Sequence, residues 1–322
     1  MGGPSGEDQI ACGRCPFLRF DKRGSLHQPV LRRSTRAMGA DRNRVIRKMS
    51  FRRPLKIAEK VLARVIPDAL YFSLQDRVRP ALDRRTTATG RAVRKWGSGY
   101  KVRWEDGTEF AFPHKLRYCR YMFPEGLDHV FDCMLAKYQD NTVQIEAGDV
   151  LFEVGANVGE FSLAAVRMGA KVYAAEPDPN AARCLRENVP EAMLIEAVVG
   201  NRKGRATLNV STAGADSSVV NPSPERISVP AITVASWLER TGEECIDFLK
   251  IEAEGYEPEV LEGARPVFDR IHKIAIDCGP ERKGKSPWVE CSKALEDAFE
   301  VWRREWMLFA VRRSSTGASA FN

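Results

Sequence analysis

A glutamate followed by two spaced glycines is the first feature of this chain that could do chemistry. The segment Val150-Leu151-Phe152-Glu153-Val154-Gly155-Ala156-Asn157-Val158-Gly159-Glu160-Phe161 reads as a buried strand, a glycine loop and an amphipathic helix. Glycines let the backbone approach a ligand at the C-terminal end of a strand, and the helix start offers free N–H groups. A second strand ends Ala174-Ala175-Glu176-Pro177-Asp178. Glu176 lies 21 residues past Gly155, where an acid can grip two ribose hydroxyls. A dinucleotide site would show Gly-x-Gly-x-x-Gly, and here that pattern fails, with Asn157 between glycines 155 and 159. An acid before the loop hinders a pyrophosphate and suits a cationic ligand. S-adenosylmethionine, with its amino group and sulfonium, is the cofactor expected.

A third segment runs Ile246-Asp247-Phe248-Leu249-Lys250-Ile251-Glu252-Ala253-Glu254-Gly255-Tyr256-Glu257-Pro258, then Leu261-Glu262-Gly263-Ala264. A buried strand leads into two acids and a glycine, then a helix with proline in its first turn. Lys250 and Glu252 share one side of that strand. Acids at a buried strand end are costly unless paired or functional. A hydroxyl acceptor benefits from a base, for which Glu252 and Glu254 are the first candidates and Asp277 the third. The alternative reading of these acids is that they hold the loop. No set of spaced ligands demands a metal.

These motifs together resemble the FkbM-type methyltransferases. The hallmarks are present as Glu153-Val154-Gly155-Ala156-Asn157-Val158-Gly159, Glu176-Pro177, Lys250-Ile251-Glu252-Ala253-Glu254-Gly255 and Leu261-Glu262-Gly263-Ala264. Weaker matches are Ala197-Val198-Val199-Gly200 and Ser217-Ser218. The resemblance covers about residues 125–312. Glu stands for the family's usual Asp at 153 and 252, and Asp277-Cys278-Gly279-Pro280-Glu281-Arg282 replaces a more common Glu-x-His. The resemblance implies a Rossmann-like class I α/β fold and O-methylation of a hydroxyl on a sugar, glycan or natural product. It places Gly155, Ala156, Asn157 and Gly159 at the methionine end of the cofactor. Glu153 is then expected near its amino group, Glu176 with Pro177 at the ribose, and Ala197 with Glu196 by the adenine.

The elements that must position these residues follow from apolar periodicity. Strands are expected at Asp149–Val154, Lys171–Glu176, Leu194–Val199, Ile246–Ile251 and Lys273–Cys278, with a final pair at Glu300–Arg304 and Met307–Val311. Helices are expected at Gly159–Met168, Pro179–Asn188, Val234–Arg240, Glu257–Arg270 and Trp288–Phe299. Alternation of the two types predicts a mostly parallel, twisted sheet with helices on both faces. Arg205–Val210 is an extra strand, followed by a polar loop to about Pro230. Upstream, helices are expected at Leu55–Val65 and Ala69–Asp83, then a polar connector from Arg84 to Gly99. A hairpin turns at Glu105-Asp106-Gly107-Thr108, and a helix with one apolar face spans Leu127–Tyr138. The organisation is thus a basic tail (1–54), a helical and hairpin extension (55–124), a methyltransferase domain (125–312) and a short tail (313–322).

Composition narrows the partners. The chain of 322 residues carries a net +7, but residues 1–55 alone hold 13 basic and 4 acidic residues. The body is nearly neutral, so no basic face marks a dedicated nucleic-acid enzyme. No apolar run reaches the length of a membrane span and no secretory h-region is present, which predicts a cytoplasmic protein acting on a small-molecule or glycan hydroxyl. Eight cysteines are scattered, and the Cys12-Gly13-Arg14-Cys15 pair has no second pair to complete a zinc site. His27, His114, His129 and His272 show no partner at meaningful spacing. Two competing readings are a catalytically degenerate binding module and an NAD(P)-dependent oxidoreductase.

Overall fold

The computed structural model describes residues 19–20, 26–27, 63, 65–82, 86, 90–211 and 217–313. The chain divides into two units, Met1–Ala58 and Glu59–Asn322. In the first, Arg19–Phe20 pairs antiparallel with Leu26–His27. The basic tail and most of the expected helix at Leu55–Val65 otherwise lie outside the described residues.

The second unit begins with α1 (Asp68–Leu82) and an antiparallel sheet of β1 (Arg91–Trp96), β2 (Gly99–Trp104) and β3 (Glu109–Phe112). The hairpin at Asp106-Gly107 is as expected, with Gly107 at φ 86°. β1 falls inside the segment expected as a connector. Arg94 and Lys95 are exposed on this outer strand, so polarity there marks an edge and not a loop, while Arg91 turns inward to Asp76 and Tyr118. A 3-10 helix over Lys115–Tyr121 leads to α2 (Leu127–Tyr138), which buries Leu127, Val130, Phe131 and Tyr138 on one face.

The main sheet contains β4 (Val150–Val154), β5 (Lys171–Ala175), β6 (Met193–Ile195), β10 (Ile246–Ile251), β11 (Ile271–Asp277), β12 (Phe299–Arg304) and β13 (Met307–Arg312). Its order is β12-β13-β11-β10-β4-β5-β6. All pairs are parallel except those of β13, which runs antiparallel to both neighbours. The order reverses between β4 and β10, and ligand crevices of doubly wound sheets open at such points. Helices α3 (Glu160–Arg167), α4 (Pro179–Asn188), α5 (Val234–Thr241), α6 (Glu257–Ala264) and α7 (Trp288–Leu295) cross between strands. This is the class I methyltransferase topology.

Strand alternation sorts the core into two layers. Phe152, Val154, Leu249, Ile251, Ile274 and Ile276 pack with α5, α6 and α7 on one face. Leu151, Phe248 and Ala275 pack with Tyr138, Phe161 and Ala165 on the other. Glu153, Lys250 and Asp277 belong by parity to that second face, so three ionisable groups lie under α2.

Three expected elements resolve differently. Leu194–Val199 is two strands, since the chain turns at Glu196-Ala197 and β7 (Val198–Val199) joins another sheet with β8 (Gly204–Val210) and β9 (Glu225–Ile232). β9 occupies part of the expected polar loop. Its Pro230 sits just before the two residues that pair with β7, so the missing N–H breaks no ladder there. The helix expected at Glu257–Arg270 ends at Ala264 and continues as a 3-10 turn through Pro266, with Val267 at φ −127°.

Phe152 stacks on Trp237 of α5 at 4.2 Å and 4°. Both are fully buried. Phe152→Ala is expected to lower the unfolding free energy by about 3–5 kcal/mol. Urea denaturation reads this, and a loss below about 1 kcal/mol would mean that the stack does not hold α5 to the sheet.

Candidate active site

The parallel register sets Lys250 of β10 directly beside Glu153 of β4. Lys250 is 2% exposed. Its Nζ lies 3.2 Å from Glu153 Oε1 and 3.3 Å from Glu252 Oε2, and donates to the Gly155 carbonyl at 2.8 Å. The Tyr138 ring covers it at 4.9 Å. Ser162 of α3 donates to the other Glu153 oxygen. Glu153 therefore sits beneath the loop with both oxygens occupied, not at its mouth. The pairing of Lys250 with Glu153 is what sequence reasoning missed: the two are 97 positions apart, and only the strand register joins them.

The loop above is held from both sides. Gly155 has φ 74°, and a Cβ there would fall 1.8 Å from the Glu252 carbonyl. Only glycine lets β4 and β10 close this way. Asn157 is left-handed at φ 52°, and its Oδ1 is buried with no hydrogen-bond partner among the described residues. Gly159, at φ 89°, abuts Val189 and Leu185 and begins α3. Ala156 is buried between them.

Glu176 closes the second wall. It is buried, accepting from Asn157 N–H at 2.7 Å on one oxygen and from Asp178 N–H at 2.8 Å on the other. Burial, reinforced by the neighbouring Asp178 carboxylate, pushes its carboxyl up to about 7. Pro177 follows, and Asp178 caps α4 through Asn180 N–H. Ala197 is buried at the turn between β6 and β7, whereas the Glu196 carboxylate reaches the surface and pairs with Arg186.

The third wall is acidic. Lys137 of α2 bridges Glu252 and Asp277 at 2.7 Å each. Burial would raise Glu252, but the Lys250 and Lys137 ammoniums outweigh it and hold the carboxyl well below its usual range. Glu254 is left-handed at φ 51°, and its carbonyl accepts from Ser218 Oγ and Asn221 Nδ2. Ser217 meanwhile donates to Asp178 at 2.6 Å, so the 217–221 strap ties the second wall to the third. Arg282 clamps Glu259 and the Gly255 carbonyl.

Two further acids gather here that the sequence did not single out. Glu257 accepts from the Ala253 and Gly255 N–H groups with one oxygen, and burial pushes its carboxyl up to about 7. Glu281 is pushed up to about 8 by burial and by Asp277, Glu257 and Glu252. Each keeps one buried oxygen with no hydrogen bond among the described residues.

Residues 153–308 match the family described as the methyltransferase FkbM domain. This region of the chain is an FkbM methyltransferase domain. The match begins at Glu153 and takes in the glycine loop, Glu176, Lys250 and the acids Glu252 and Asp277. No curated protein matches the chain. Among solved structures, it is similar to precorrin-6y C5,15-methyltransferase from Geobacter metallireducens at 14% identity, covering 56% of this chain and 88% of that one with a TM-score of 0.33. Aeropyrum pernix fibrillarin, in complex with natively bound S-adenosyl-L-methionine, matches at 13% identity over 68% of this chain and 98% of that one, TM-score 0.35. Magnesium protoporphyrin IX methyltransferase from Synechocystis matches at 15% identity over 58% and 78%, TM-score 0.34.

Breaking a buried ion pair by removing one partner leaves an uncompensated charge. Lys250→Met is expected to cost about 3–5 kcal/mol, with Glu153→Gln/Lys250→Met together costing less than the sum of the single changes. Additive losses in a denaturation double-mutant cycle would show that the two groups are not coupled.

Proposed function

We propose that the FkbM domain transfers a methyl group from S-adenosylmethionine to a hydroxyl oxygen of a small molecule or glycan. Glu176 carries the reading. Each of its oxygens accepts one backbone N–H, and a carboxylate has lone pairs left for the two hydroxyls of a ribose. The orphaned Asn157 Oδ1, an acceptor in a site that also holds a left-handed loop, suits the ammonium of a methionine moiety.

Bound there, S-adenosylmethionine supplies a methyl group already activated on a sulfonium. Gly155, Ala156, Asn157 and Gly159 shape the methionine end, Glu176 with Pro177 holds the ribose, and Ala197 with the Glu196 backbone borders the adenine. Glu153 acts through Lys250 to fix the loop. The acceptor hydroxyl must lose its proton as it is methylated. Glu252 is a weak base while two ammoniums stabilise its charge, so Glu252 and Asp277, bridged by Lys137, orient the acceptor hydroxyls. Glu254, held left-handed, shapes the wall beside them. Glu281 takes the proton: it has an unpartnered oxygen and a carboxyl poised near the working pH.

The reading is tested by incubating the protein with labelled S-adenosylmethionine and a panel of glycans and small polyols. Label on oxygen of a hydroxylated product supports it, and label found only on nitrogen or carbon acceptors overturns it. Glu281→Gln is expected to lower kcat by about 10²–10⁴ with little change in cofactor affinity. It should also abolish a rate increase that the parent shows as pH rises toward about 8. An unchanged profile would remove Glu281 from the reaction. A ribose diol bonds the ionised form of Glu176, so affinity for S-adenosylhomocysteine should strengthen as pH rises through about 7. Isothermal titration of Glu176→Gln should lose that dependence.

A further inference from the structure

The end of the main sheet opposite the glycine loop carries a second constellation. In the parallel register Ile246 lies beside Ile271, so Asp247 and His272 are neighbours on one face. Asp247 is five residues before Glu252, about 17 Å along an extended strand, so this cluster is separate from the acidic wall. His272 Nδ1 lies 2.9 Å from Asp247 Oδ1. Cys245 Sγ lies 3.7 Å from the same oxygen. One donor atom from each of Cys245, Asp247 and His272 falls within 4.8 Å of the others.

Three features suit this cluster to an ion. The three donor atoms lie close together, with sulfur, nitrogen and oxygen presented from two adjacent strand starts. All three residues are partly open, so an ion can enter and keep a water. The other Asp247 oxygen accepts from Val150 N–H at 2.8 Å, an orienting contact of the kind that outer partners supply to metal-binding carboxylates. Magnesium and calcium prefer all-oxygen sites, whereas a thiolate–imidazole–carboxylate set selects zinc-class ions.

We propose that Cys245, Asp247 and His272 form a binding site for a zinc-class divalent ion, bound through Sγ, Oδ1 and Nδ1 with water in the fourth position. Binding releases the thiol proton, and the neutral imidazole then carries its proton on Nε2. The ion ties the start of β10 to the start of β11, and through Asp247 to β4. It stabilises the sheet without entering the transfer chemistry.

The test uses the full-length protein stripped by chelator and titrated with Co²⁺. The expected result is a near-ultraviolet thiolate-to-cobalt charge-transfer band that Zn²⁺ displaces, and a Zn²⁺-dependent rise in Tm. Cys245→Ser should abolish the band and the Tm shift, and His272→Ala should weaken both. Cys133→Ser, which removes an exposed thiol elsewhere, should leave both unchanged. Circular dichroism of each variant separates loss of the site from loss of fold. A band that survives Cys245→Ser, or no thiolate band in folded parent protein, would overturn the proposal.

Discussion

The Lys250 ammonium is the constraint on which the site depends. It is buried, and it answers three acceptors that belong to different parts of the chain: Glu153 on β4, the Gly155 carbonyl in the loop and Glu252 past β10. Such a charge is stable only if its partners stay in place. Its value is therefore less in net stability than in fixing one arrangement. The two central strands close until only glycine fits at 155, and the loop is set before any ligand arrives.

From that centre the charges divide by role. Lys250 and Lys137 hold Glu252 ionised, and Lys137 extends the same network to Asp277. Burial raises both Glu257 and Glu281, and neighbouring carboxylates such as Asp277 add to the rise. Groups whose environments push their pKa values apart are suited to different tasks. The 217–221 strap and the Arg282 clamp tie the walls together through Asp178 and the Glu254 and Gly255 carbonyls.

Much of this was legible in the sequence. The strands of the main sheet and the helix at Leu127–Tyr138 have clear apolar periods, and the structure places them within a few residues of expectation. The glycine loop and Glu176 come together because both lie at the ends of neighbouring parallel strands. What escaped depends on groups that only the fold brings together. The Lys250–Glu153 pairing needs a register, and the raised Glu281 needs Asp277, Glu257 and Glu252 around it. The Asp247–His272 contact likewise arises between adjacent strands, so a histidine with no partner at local spacing gains one in space. β9 was hidden because its proline and serine look like loop, although a proline is harmless where one side of the strand has no partner.

The most direct measurement is calorimetric titration of the purified protein with S-adenosylhomocysteine, beside a parallel titration with NADH. The account predicts one saturable site for the sulfur nucleoside and no binding of the dinucleotide. Folded protein that ignores S-adenosylhomocysteine, or that binds NADH in its place, would contradict it.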